Sequence, residues 1–159
     1  LSTLHTIDAK ETIGRIIGMF PGSEQNRIKM SLSSVLQGII AQRLVRTVDK
    51  GRTAAVELLI KNARIEGLIL EGREHEIPDA LREGKEIYKT QTFDQCLIEL
   101  YQQGRISKEE TINAASNRND ILMAIDYHDS EQANNGDSRL ESSIISAIGV
   151  DKDIIGLKR

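Results

Sequence analysis

Three histidines, one cysteine and 24 acids are the side chains of this 159-residue sequence best suited to chemistry, and their spacing limits what they can do. His5, His75 and His128 lie far apart and share no metal-ligand spacing such as H-E-x-x-H. Cys96 stands alone, which rules out an internal disulfide or a thiolate zinc site; within an amphipathic pattern it reads as a small buried apolar residue. Neither G-x-S-x-G nor C-x-x-C occurs. A loop that cradles phosphates needs G-x-x-x-x-G-K-[ST], because backbone N–H groups and a lysine must surround the anion. The nearest spacing, Gly67 to Gly72, is followed by Arg73-Glu74 and encloses Leu68-Ile69-Leu70, which reads as a helix face. Glu57, in Ala55-Val56-Glu57-Leu58, reads as a strand residue rather than as one of a pair of acids holding magnesium. His5 is the best placed candidate. It ends a short apolar stretch just before a helix start, and strand ends in α/β sheets are where ligands collect. An imidazole N–H there is able to sense a phosphate; an ordinary strand-end histidine with a satisfied hydrogen bond is the alternative that spacing alone prefers. Arg15 has the same two readings, a contact to a partner's phosphate or a solvated helix charge, and the second is the more common.

The elements that must position these residues follow from periodicity. Leu1 to His5 reads as a strand, and Thr6 or Asp8 is able to cap a helix. Ile13, Ile16, Ile17 and Phe20 recur on one helix face, and Pro21-Gly22 ends it. Ser23 is a candidate cap for a second helix carrying Ile28, Leu32, Val35, Leu36 and Ile39. Ile39 to Val45 and Thr53 to Ile60, joined through Asp49-Lys50-Gly51, predict a β-hairpin. Ile65, Leu68 and Ile69, then Ile77 and Leu81, predict two short helices separated near Gly72, with Pro78 in the first turn of the second and Gly84 as a stop. A further helix runs from Thr92 to Gly104, and Ser107 with Glu110 makes a capping-box pattern for the next. Residues 129–138 are polar and read as a linker, after which Leu140, Ile144, Ile145 and Ile148 allow one more amphipathic helix.

Composition excludes some classes. A formal net charge of −3 with 3% aromatic residues argues against a nucleic-acid binder, which needs clustered cations and stacking platforms. The longest apolar run, Ala54 to Ile60, is broken by Glu57 and falls far short of the roughly 20 residues needed to span a bilayer. With a lone cysteine the chain reads as intracellular. The absence of an initiator Met, with an apparent strand entered midway, reads as a fragment of a longer protein.

A family resemblance shifts these weights. The run Leu4-His5-Thr6-Ile7-Asp8-Ala9, with Thr12-Ile13-Gly14-Arg15-Ile16-Ile17 and Phe20-Pro21, resembles the His-box region of PilT-type ATPases of the secretion ATPase superfamily. The similarity continues through Leu36-Gln37-Gly38-Ile39-Ile40-Ala41-Gln42-Arg43-Leu44 and Gly51-Arg52-Thr53-Ala54-Ala55-Val56-Glu57. It extends through Glu71-Gly72-Arg73-Glu74-His75-Glu76-Ile77-Pro78, Thr90-Gln91-Thr92-Phe93-Asp94-Gln95, Gly104-Arg105-Ile106-Ser107 and Ala115-Ser116-Asn117. Residues 1–125 are covered in order.

The resemblance implies an α/β fold: the C-terminal part of a RecA-like ATPase core over residues 1–61, a helical region over 62–126, and a polar linker with a possible tail helix over 127–159. It implies a homohexameric motor for type IV pilus retraction, cytoplasmic and peripheral at the inner membrane, working against a pilus inner-membrane platform protein. ATP and magnesium would be held mainly by the part of the family's sequence that precedes the His box, so this chain alone is expected to be inactive. His5 would match the second His of the His box, near the γ-phosphate. Arg64 to Glu71 aligns with the family's retraction motif A-I-R-N-L-I-R-E: Ile65, Leu68, Ile69 and Glu71 agree, while Glu66 and Leu70 replace both arginines. Those four residues and Arg15 are the expected interface and motor-coupling residues; an amphipathic helix packed on the core is the plain alternative for that segment. Two other readings stand beside this one, a non-catalytic helical adaptor and a sibling motor for pilus extension or type II secretion. Many such siblings carry a four-cysteine zinc insert, for which this sequence has no residues.

Overall fold

A computed structural model describes residues 1–131 of the chain. Leu1–Ile121 form one compact unit, and a second begins at Leu122. Helix α1 (Ala9–Gly18) starts where Asp8, with extended backbone, turns its carboxylate onto the Glu11 N–H. Its stripe of Ala9, Thr12, Ile13 and Ile17 is buried. Pro21 and Gly22 break the chain as expected, but Ser23 is not the cap of α2 (Gly22–Val35): Pro21 holds that position, and its carbonyl accepts the Glu24 N–H at 2.8 Å. Ile39 leaves the helical series and enters the hairpin.

Strands β1 (Gly38–Arg46) and β2 (Arg52–Ile60) pair antiparallel, with Ala41 opposite Glu57 and Arg43 opposite Ala55. Alternation sets their faces: Ala41, Val45, Ala55 and Leu59 point inward, whereas Ile40 and Leu44 stay exposed. The outer edge of β2 is covered by Gln91, whose N–H and C=O exchange bonds with Leu58 at 2.9 and 2.8 Å.

Helix α3 (Ala63–Glu71) is capped by Asn62 and ends on Gly72 at φ 72°, a left-handed position. A Cβ there would lie 2.5 Å from Lys29 Nζ, the movable end of a side chain, so the backbone angle is what selects glycine. A 3₁₀ turn at Glu74–Glu76 leads into α4 (Ile77–Glu83), with Pro78 in its first turn, and then α5 (Lys85–Tyr88). Helix α6 (Phe93–Gln102) opens with a complete capping box between Thr92 and Gln95. Helix α7 (Lys108–Ala114) has half of one: Ser107 accepts the Glu110 N–H, but the Glu110 carboxylate accepts the Arg46 N–H at 2.8 Å instead of turning back. Residues 118–131 are helical, so the expected linker from 127 is helix as far as the description goes. The expected tail helix lies outside the described residues.

The main hydrophobic cluster joins Ala9, Ile13 and Ile17 of α1 to Leu59, to Ile65, Leu68 and Ile69 of α3, and to Ile77, Ala80 and Leu81. The core therefore runs across the expected boundary at 61. The strand expected over Leu1 to His5 does not form; residues 1–6 have no regular structure. A strand's N–H and C=O groups need a partner edge, and the described sheet has two strands, of which β2 already meets Gln91. The α/β class is as expected, with a hairpin followed by helices.

Candidate functional site

His5 lies in the irregular segment that enters α1 and is exposed. That segment is fixed by short polar contacts rather than by a sheet. The Ile7 N–H donates to Glu11 Oε2 at 2.9 Å, the Thr6 and Thr12 hydroxyls meet at 2.7 Å, and the Thr12 hydroxyl also reaches the Asp8 carbonyl at 2.7 Å. The Ile7 N–H, and after it Arg15, hold the Glu11 carboxyl below the usual carboxylate range.

Below this entry sits Glu57, a carboxylate only 7% exposed. Its Oε1 accepts the Ala9 N–H, the first residue of α1, at 2.8 Å. The backbone of Phe93, the first residue of α6, adds a smaller favourable influence on the same carboxylate. The buried carboxylate thus sits at the start of α1, where free N–H groups and the positive end of the helix dipole favour an anion. Burial nevertheless pushes its pKa upward, more than the Ala9 bond and the nearby Arg43 lower it, and Asp8 adds to the rise.

Arg43 lies on the same inward face of β1. Its guanidinium carbon is 4.0 Å from the centre of the Phe93 ring. One terminal nitrogen donates to the Ser116 hydroxyl at 3.3 Å, and the other reaches the Ile7 carbonyl at 3.5 Å, the outer limit of a hydrogen bond. Asp94 completes the surroundings, accepting the Ser116 and Asn117 N–H groups at 2.7 and 2.9 Å. Sequence reading placed Glu57 in a strand, as found, but gave it, Arg43, Phe93 and Asp94 no part in a site. A charged residue on the inward register of a strand was the available signal, since such a group needs partners once buried.

The residues singled out in the sequence are not brought together. Arg15 is exposed, paired with Glu11 at 2.7 Å across one helical turn, and borders a shallow groove with Gly14, Gly18 and Met19. Ile65 and Ile69 are fully buried and Leu68 nearly so, which makes them core residues of α3 rather than an open contact surface. Glu71 is exposed at the end of α3 and pairs with Arg73 at 2.7 Å. Among the described residues, no group of three or more His, Cys, Asp or Glu side chains is placed to hold a metal ion. No described helix is long and apolar enough to cross a membrane.

A family model described as "Type II/IV secretion system protein" matches residues 1–151. The chain is 39% identical over 126 residues to the type IV pilus ATPase PilU of Pseudomonas aeruginosa, covering 79% of this chain and 33% of that protein. It is 38% identical to a twitching motility protein of Neisseria gonorrhoeae, over 72% of this chain and 31% of that one. Among solved structures, the pilus retraction motor PilT with bound ADP superimposes with a TM-score of 0.64 at 38% identity, over 74% of this chain and 32% of that one. The ATPase DotB of Legionella pneumophila gives 0.56 at 29% identity, over 68% and 29%. The chain spans about a third of the length of the curated relatives it matches. With the family model matching nearly its whole length, and with the fold of a solved retraction motor shared over 74% of it, the chain belongs to the type II/IV secretion system protein family, on its PilT-like side.

Proposed function

We propose that this chain is the C-terminal portion of a homohexameric motor that couples ATP hydrolysis to retraction of type IV pili, at the cytoplasmic face of the inner membrane. The observation that carries the reading is the unbroken similarity to pilus ATPases across the hairpin and the helices after it, together with the shared fold. In this reading His5 stands at the γ-phosphate, and its segment is held ready by Glu57 and Glu11. Nucleotide and magnesium are held mainly by the preceding part of the protein. Arg15, Glu71 and the α1 groove are surface available for contact with a neighbouring subunit or the pilus platform protein. Ile65, Leu68 and Ile69 contribute to coupling through the core, by packing α3 on α2 and α4.

The likeness to DotB favours a second reading, a sibling secretion motor built on the same fold. A deletion of the complete gene separates the two. Loss of twitching with pili accumulating on the cell surface is the expected outcome for a retraction motor. Loss of the pili themselves, or unchanged twitching with a secretion defect, contradicts it.

A further inference from the structure

Arg43 meets three stretches of chain far apart in sequence: Ile7 in the segment after His5, Phe93 at the start of α6, and Ser116 in the loop after α7. Glu57 holds the first of those regions, accepting the Ala9 N–H at 2.8 Å two residues after Ile7. The two residues stand on paired strands one register step apart, Ala41 lying opposite Glu57 and Arg43 opposite Ala55. Asp94, beside Phe93, grips the Ser116 and Asn117 amides. A rigid two-stranded ladder thus carries one cation and one anion whose partners are the His5 entry on one side and the α6 and 115–117 region on the other.

We propose that Arg43 and Glu57 form a positioning joint that makes the His5 segment and the start of the helical region move as one. Arginine suits this role and lysine does not, because a planar guanidinium is able to stack on a ring while its two terminal nitrogens point to different acceptors. Glutamate suits it for a related reason: its carboxylate accepts the Ala9 N–H where a helix start leaves that donor without an intrahelical partner. The joint stands on geometry alone; its consequence for turnover rests on the proposed phosphate-sensing role of His5.

The test is hydrogen exchange on the complete protein, followed in the segments around 6–12, 92–96 and 115–118, together with ATP turnover. Arg43→Met is expected to speed exchange several-fold at both 6–12 and 115–118, while Arg27→Met, at an exposed pair with Glu24, changes neither. Glu57→Met, which removes the acceptor, is expected to speed exchange of the Ala9 amide by roughly tenfold, the scale of one lost charge-assisted hydrogen bond. If Arg43→Met also loosens 65–69 in the core, Arg43→Lys, which keeps the charge, decides by the same two segments. Faster exchange at one end only, or at neither, overturns the joint. In turnover, Arg43→Met is expected to lower kcat with KM for ATP unchanged. Coupled exchange with normal kcat, in a protein whose His5→Ala variant is slow, overturns the positioning role. Coupled exchange with normal kcat in both variants leaves the joint standing and removes His5 from the mechanism.

Discussion

At the residue scale the consequential group is Glu57, a buried carboxylate tied to the start of α1. Its raised pKa fixes the sign of a pH effect. The folded state binds its proton more tightly than the unfolded chain does, so over the window between the ordinary value near 4.5 and the raised one, rising pH costs stability. Comparison with Glu57→Gln in denaturant melts isolates this contribution: the stability of the natural protein relative to the variant should fall as pH climbs through that window. A flat difference, or one of opposite slope, would show that the carboxylate is better solvated than its burial implies. Asp8 supplies an independent check. Asp8→Ala removes the acceptor of the Glu11 N–H and is expected to cost about 1 kcal/mol in the same melts. The sequence pointed to Asp8 because capping is local, written within three residues. It gave Glu57 no role beyond that of a strand residue, because its partner Ala9 is 48 residues away and was invisible until the fold placed it.

At the scale of elements, packing decides what the aligned retraction segment does. Ile65, Leu68 and Ile69 make the buried stripe of α3, in one cluster with Ala9, Ile13 and Ile17 of α1, so Ile69→Ala should destabilise the fold by roughly 2–5 kcal/mol. A thermal melt reads this directly, and a loss well under 1 kcal/mol would place the residue outside the core. Gly72→Ala tests how the same helix ends. A residue at φ 72° strains any side chain, and a penalty of about 1 kcal/mol or more is expected. Most elements were legible, because amphipathic spacing, Pro21-Gly22, Asp49-Lys50-Gly51 and Gly72 are local signals. The short α5 and the 3₁₀ turn at 74–76 were missed, being too brief for any period to show. The strand expected over Leu1 to His5 failed for a different reason: apolar residues favour extended chain, but a strand exists only beside a partner.

At the scale of the whole molecule, hairpin and helices form one unit over Leu1–Ile121, with the core and the Arg43–Glu57 joint both linking the His5 end to the later helices. Family membership was legible because several ordered blocks agreed at once, whereas the role of each block depended on contacts that only the fold displays. The chain by itself is expected to show no ATP turnover above background, since no phosphate-binding loop occurs in it. A hydrolysis assay checks this, and measurable turnover would mean that a site has gone unrecognised. The most direct measurement is made on the complete protein with His5→Ala, reading nucleotide binding and steady-state hydrolysis side by side. A fall in kcat with ATP affinity preserved is the result predicted for a histidine that senses the γ-phosphate. Unchanged turnover would contradict it.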